Sequence, residues 1–224
     1  LGMTVNTVKT KAVGSNASTR RVLRAMLAED PETHIEVVES VKDLGIDLGW
    51  QRRRCGTAST RVQRAKQIKD RSRSLPMEFR ELAAGSMLMA GGGYGVAVTG
   101  MSKKNLKDLR STVRASIIGG KNPSQRCLMA DLHFTRNPRR LDAAIALPDL
   151  ILREWAKRLS RDPSLVVKVQ AAWQREVDEG SRRGGPLRAT VDALRSLGWE
   201  PTGPDRWTLP DGRSLSIDDQ ETIR

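Results

Sequence analysis

A run of 21 consecutive uncharged residues, Leu82 to Ser102, constrains the fold of this chain more than any other feature. A run of this length matches a bilayer crossing, so it must either span a membrane or be covered by other parts of the protein. Six of its residues are glycine and most of the others are small, which argues against a membrane helix. Gly91–Gly95 (GGGYG) would also break a helix at its middle. We therefore predict a buried helix followed by a tight turn, and no membrane partner.

The composition is that of a folded protein. The chain has 224 residues, of which 38% are hydrophobic, enough for one large or two small domains with a substantial core. Its two cysteines, Cys55 and Cys127, cannot build a disulfide framework and offer no paired zinc-binding spacing. No signal peptide is visible, so we expect a reducing, intracellular compartment.

Positive charge is concentrated in the first part of the chain. Residues 1–130 contain 23 lysines and arginines against 11 acidic residues, whereas residues 131–224 contain 16 against 15. Solubility alone does not require such a separation. The basic part therefore predicts a polyanionic partner, and nucleic acid is the commonest one.

Apolar periodicity and turn residues predict an α+β fold that is mostly α. Short strands are expected near the N-terminus and over 34–48, the latter as a hairpin with its turn at Glu39-Ser40. Residues 198–217 are expected to form a small β-hairpin in which Trp199 and Trp207 are packing anchors. The predicted helices cover residues 18–27 with Ser18 as the cap, 57–74, 76 to at least 88, 102–118 with Ser102 as the cap, 141–159, 163–179 and 186–197.

Two basic segments carry the predicted contacts to nucleic acid. Between Gln51 and Leu75 there is one acidic residue against nine basic ones, which are Arg52, Arg53, Arg54, Arg61, Arg64, Lys66, Lys69, Arg71 and Arg73. Helical spacing places Arg61 and Arg64 near one face, with Lys69 as a further candidate. The second segment contains Lys103, Lys104, Lys107, Arg110, Arg114 and Lys121. Stable solvated helices usually mix charges of both signs, so these rows favour a phosphate backbone as the partner.

The residues themselves predict no catalytic or metal site. The glycine run is not followed by the Gly-Lys-Ser/Thr of a phosphate-binding loop, so we interpret it as a turn between packed helices. Asp218-Asp219 lies in a charged tail without a third ligand nearby. His34 and His133 are solitary, and neither belongs to a nucleophile–base arrangement.

Several short motifs up to about residue 135 occur in an informative order. The first segment, LGMTVNTVKTKAVGSN, contains Gly2, Asn6 and Lys9-Thr10, and VKDLGIDL contains Lys42 and Leu44-Gly45. A basic helix, Tyr94-Gly95 and the segment MSKKNLKDLRSTVRASIIG follow. In this order and spacing, the motifs resemble the C-terminal palm and thumb of reverse transcriptases of non-LTR (LINE-type) retrotransposons.

This resemblance implies a palm end (1–50), a helical basic thumb (51–135) and a helical post-thumb region (138–224). Such a segment would bind an RNA template and an RNA–DNA or DNA duplex, and would join upstream palm and fingers of the same polypeptide. Nuclear localisation would follow. The family's Mg²⁺-binding carboxylates precede the Lys-Thr segment, and the chain begins at Leu1 rather than Met. We therefore expect a fragment that has no cofactor of its own and is inactive alone as a nucleotidyltransferase.

The resemblance also assigns roles to individual residues. Lys9 matches a lysine near the phosphates of the incoming nucleotide, where a cation offsets charge on the departing pyrophosphate. Lys42, Leu44 and Gly45 match the hairpin that grips the primer. Asp43 departs from the pattern, because the family usually has an aromatic residue there. With the two basic segments, the predicted nucleic-acid-binding residues are Lys42, Leu44, Gly45, Arg52, Arg53, Arg54, Arg61, Arg64, Lys66, Lys69, Lys103, Lys104 and Lys107.

Two other functions fit the sequence. The chain could be a non-enzymatic, basic nucleic-acid-binding module with a winged-helix-like C-terminus at 186–217. Trp199 and Trp207 would then either complete a small core or stack on bases. A structural or protein-interaction helical domain remains if the basic surface binds no nucleic acid.

Overall fold

The computed structural model describes residues 10–14, 16–28, 35–43, 46–49, 56–118, 136–179 and 185–217. Helices predominate in these ranges, and the strands form three two-stranded sheets. The predicted fold class, α+β and mostly α, is therefore confirmed. The strands are β1 (Lys11–Val13), β2 (Glu36–Val38), β3 (Ser40–Asp43), β4 (Ile46–Gly49), β5 (Arg206–Thr208) and β6 (Ser214–Ser216). The helices are α1 (Ala17–Ala28), α2 (Gly56–Ser72), α3 (Met77–Ala83), a π-helical segment (Ala84–Met89), α4 (Ala90–Gly93), α5 (Val96–Thr99), α6 (Lys103–Ile118), α7 (Pro138–Leu141), α8 (Ala143–Arg161), α9 (Ser164–Glu179) and α10 (Pro186–Ser196).

The N-terminal part contains two separate strand pairs. β1 and β2 are parallel, and α1 makes the crossover that a parallel pair requires. β3 and β4 are antiparallel, with Asp43 opposite Ile46. The predicted turn at Glu39-Ser40 is wrong, because β2 pairs with β1 instead of folding back and Ser40 already belongs to β3. Leu44 and Gly45, between β3 and β4, lie outside the described residues.

The first helix has a different cap from the predicted one. The Asn16 side chain accepts a hydrogen bond from the Thr19 backbone N–H at 2.8 Å, which is the contact that an N-cap makes with the third helical residue. Ser18 lies inside the first turn. Val22 and Met26 are 55% and 63% exposed, so α1 buries little of its apolar side.

The uncharged run forms a helix that continues through most of the glycines. The predicted break at Gly91 is wrong, because α4 extends to Gly93. A Cβ added at Gly92 would lie 2.6 Å from Leu109, and one at Gly93 would lie 2.5 Å from Leu147. These glycines therefore let neighbouring helices approach closely, which offsets their low helix propensity.

The tight turn lies at Tyr94-Gly95, after α4 has ended at Gly93, and not at Gly91 where the glycine run starts. Tyr94 has φ −58° and ψ 131°, and Gly95 has φ 77° and ψ 1°. These angles are those of a type II turn, whose third position requires a positive φ and therefore favours glycine. The turn ends α4 and starts α5.

In the described part of the chain, Met77–Thr99 is the stretch with the length and composition of a membrane-spanning helix. One side of it is covered by the protein, because Ala84 and Leu88 are fully buried and Val96 is 2% exposed. Core helices of folded domains can meet the same criteria of length and composition. The expectation of no membrane partner stays a prediction.

α2 and α6 run side by side in the same direction. Lys66 on α2 pairs with Asp108 on α6 (Nζ–Oδ2 3.0 Å). Further along both helices, the hydroxyls of Ser72 and Ser116 lie 2.7 Å apart. Because both residue numbers increase between the two contacts, the helices are parallel. Their first turns therefore lie toward the same end of the bundle.

One apolar cluster extends from α2 to the C-terminal hairpin and includes Val62, Leu109, Trp173 and Trp207. The Trp155 indole donates to the Pro204 carbonyl at 2.7 Å. The predicted hairpin is present as β5 and β6, and Trp207 is its buried anchor, at 1% exposed. The predicted domain boundaries at 50 and 138 stay predictions.

Candidate nucleic-acid interface

The exposed side of α6 carries three lysines close together at the start of the helix. Ser102 caps the helix as predicted, since its Oγ accepts from the Asn105 N–H at 3.1 Å. Lys103, Lys104 and Lys107 follow in the first turn and a half, all exposed. None of the three forms an ion pair within the part of the chain that the structure describes. They lie opposite the buried face that contains Leu109.

The acidic residues near this surface are already neutralised by other cations. Asp108, on α6 itself, pairs with Lys66. Asp142 is 6% exposed at its side chain and receives Arg110 at 2.6 Å, while its other oxygen caps α8 through the Ala144 N–H at 3.0 Å. These two carboxylates are therefore engaged elsewhere and do not compensate the three lysines of α6.

Two of the predicted α2 contacts are engaged in intramolecular ion pairs. Lys66 bonds Asp108, as described above, and lies at the edge of the α6 surface. The Lys69 ammonium lies 3.1 Å from Asp70, with its side chain 20% exposed. Lys69 is therefore less available to a ligand than the α6 lysines.

Arg61 and Arg64 lie on a different side of α2 from Lys66. Helical geometry places Arg64 about 160° around α2 from Lys66, and it is exposed without an ion pair among the described residues. Arg61 reaches α4, where its guanidinium lies 4.8 Å from the centroid of the Tyr94 ring and donates to the Tyr94 carbonyl. The structure thus does not bring the two arginines onto the surface of the α6 lysines, although all of them lie toward the same end of the bundle.

The remaining candidate residues fall largely outside the described part of the chain. Lys9, Leu44-Gly45, Arg52, Arg53, Arg54 and Lys121 lie there, as do Asp218-Asp219, His34, His133 and both cysteines. Lys42 lies in β3 opposite Asp47. The primer-grip role of Lys42, Leu44 and Gly45 stays a prediction.

The described residues of the winged-helix-like segment, 186–217, offer a less suitable surface for nucleic acid. Trp207 is too deeply buried to stack on a base, and Trp199 lies beside it with ring centroids 6.2 Å apart. On α10, Arg188 bonds Glu176 and Asp192 at 3.1 and 2.9 Å. Burial opposes its charged form, but the bonds to the two carboxylates outweigh burial and raise the pKa of Arg188 above its ordinary value. Its charge is therefore used within the protein.

The described residues do not fit the carboxylate set that Mg²⁺ requires. No group of three His, Cys, Asp or Glu side chains close enough to hold a metal ion occurs among them. No step of nucleotidyl transfer can therefore be assigned to these residues.

Comparison with known proteins finds no match to this chain among family models, curated proteins or solved structures.

Sequence reasoning missed the contact between Arg61 and Tyr94. The available signal was Tyr94-Gly95: a glycine after a helical run favours a turn, and the residue before it then lies at the helix end. Its pairing with Arg61, 33 residues earlier, depends on how α2 packs against α4 and leaves no local pattern.

Proposed function

We propose that this chain is a nucleic-acid-binding thumb segment of an RNA-directed DNA polymerase, which holds the phosphate backbone of a template–primer duplex through the exposed lysines of α6. The observation that carries the binding function is the group Lys103, Lys104 and Lys107: three exposed lysines in five residues, unpaired within the described chain. The polymerase context rests on the order of the sequence motifs.

The balance of charged residues in 56–118 supports a polyanion as the ligand. Residues 56–118 contain 12 lysines and arginines against 4 acidic residues, and two of those acids, Asp70 and Asp108, are held by Lys69 and Lys66. The positive end of the α6 dipole lies at the same place as the lysines and adds to the attraction for phosphate. Arg64 supplies a further exposed cation at this end of the bundle.

The chain offers a matched control for this function. Lys157, Arg158 and Arg161 on α8 are also exposed and have the same spacing as Lys103, Lys104 and Lys107. Replacing either group by glutamine removes three positive charges from a helix surface. The two variants therefore lose the same amount of positive charge at different places on the protein.

We expect K103Q/K104Q/K107Q to weaken binding of a labelled blunt duplex by the full chain about 10- to 100-fold at low salt, since up to three phosphate contacts are lost. The control K157Q/R158Q/R161Q should change affinity less than about 3-fold. Fluorescence anisotropy gives both dissociation constants. Equal weakening would mean that only net charge matters, and a larger effect of the control would favour the C-terminal module.

A further inference from the structure

We propose that Tyr94, held in place by Arg61, is a platform on which an unpaired base of the bound nucleic acid stacks. This inference rests on the proposed function. It specifies which part of the bound nucleic acid contacts Tyr94, and phosphate contacts alone do not specify that.

The Tyr94 ring combines exposure with a fixed position. It is 51% exposed, although large aromatic side chains usually bury most of their surface. Its backbone is set by the type II turn with Gly95, and its carbonyl accepts a hydrogen bond from Arg61. Ordering of an aromatic ring before binding lowers the entropic cost of stacking on it.

Arg61 covers only part of the ring. Its guanidinium lies 4.8 Å from the ring centroid, the distance of a cation–π contact. Tyr94 as a residue keeps about half of its surface exposed with the guanidinium in place, and we infer that this surface includes the ring face away from Arg61. A base stacked there would complete an arginine–tyrosine–base sandwich, with positive charge near the adjoining phosphate.

Space for a base is available beside the ring. Gly91 lies one helical turn before Tyr94 and is exposed, and a Cβ added at Gly91 would meet no atom within 4 Å. Ala90, next to it, is also small and exposed. The helix surface beside Tyr94 therefore carries no large side chain at these two positions.

The platform lies at the same end of the bundle as the α6 lysines. Arg61 lies five residues before Lys66 on α2, and Lys103 lies five residues before Asp108 on α6. Because the helices are parallel and Lys66 pairs with Asp108, Arg61 and Lys103 lie at about the same level along the bundle. Bases inside a duplex already stack on both sides, so the ring fits a base at an unpaired end. The ligand is therefore a duplex with a single-stranded overhang, its paired part on the lysines.

The test compares a blunt duplex with the same duplex carrying a four-nucleotide overhang, each bound to the full chain. We expect the overhang to tighten binding roughly 5- to 100-fold. Y94L should lose that gain and Y94F should keep it, because stacking uses the ring and not the hydroxyl. F79L is the matched control: Phe79 is 56% exposed on the same helical stretch, roughly 20 Å before Tyr94.

A second measurement reports the stack directly. 2-Aminopurine placed in the overhang should be quenched on binding to the wild type and to F79L, but not to Y94L. If the chain binds both duplexes and Y94L keeps the overhang gain, or if the overhang gives no gain, the platform is refuted while phosphate binding stands. If neither duplex binds, the proposed function fails as well.

Discussion

Ser72 and Ser116 illustrate how single polar side chains fix the geometry on which the interface depends. Both are buried, at 4% and 0% exposed. Ser72 donates its hydroxyl hydrogen to the Lys69 carbonyl at 2.8 Å, so the Ser116 hydroxyl donates to Ser72 at 2.7 Å. A buried hydroxyl costs free energy unless it has a partner. The pair therefore favours one register of α2 against α6, and that register places Arg61 level with the first turn of α6.

This coupling predicts a non-additive effect on stability. S72A should lower the free energy of unfolding by about 1–3 kcal/mol, because it leaves the buried Ser116 hydroxyl without this partner, and S116A by about 1 kcal/mol, since Ser72 keeps its bond to the Lys69 carbonyl. The double variant should cost about 1 kcal/mol less than the sum of the two single changes. Urea denaturation of the four proteins provides the comparison, and simple additivity would show that the hydroxyls are not coupled.

At the scale of elements, the helical stretch from Met77 to Gly93 depends on where its glycines lie. Gly91 faces open space, whereas Gly92 faces Leu109, which is fully buried. The same residue type therefore has opposite roles at neighbouring positions. At Gly91 it only lowers helix propensity, and at Gly92 it permits contact between α4 and α6.

Alanine substitution should separate these roles. G91A is expected to raise the free energy of unfolding by about 0.5–1 kcal/mol, since its φ suits any residue and no clash arises. G92A should lower it by about 1–3 kcal/mol, because its Cβ would displace Leu109 from a filled core. Thermal denaturation of both variants checks the signs, and a stabilising G92A would contradict the observed contact.

These elements also show what the sequence could and could not predict. The α6 cap at Ser102 and the Trp207 anchor follow from local sequence patterns and turn chemistry, and the structure confirms them. The glycine run misled prediction because its effect depends on Leu109 and Leu147, which are distant in sequence. The β3–β4 hairpin was misplaced for a similar reason, since the pairing of β2 with β1 decides where the next strand starts.

At the scale of the whole molecule, the described cations of α2 and α6 that could contact a ligand lie on two sides of the bundle. The α6 lysines form one side, and Arg64 with the Arg61–Tyr94 pair forms the other. The sequence predicts these cations, but it does not predict that they lie on two sides. The relative rotation of α2 and α6 is set by the Lys66–Asp108 and Ser72–Ser116 contacts, which join residues distant in sequence. A ligand that touches both sides must pass around the end where both helices begin. A duplex with a flexible overhang has that property.

The salt dependence of duplex binding tests the central claim most directly. Each lysine that contacts a phosphate contributes about 0.9 to the slope of log K against log salt concentration. For the full chain, K103Q/K104Q/K107Q should therefore reduce the magnitude of that slope by about 2–3 relative to the wild type, while K157Q/R158Q/R161Q leaves it within about 0.5. An unchanged slope in the α6 variant would show that these lysines do not contact phosphate, and would contradict the account.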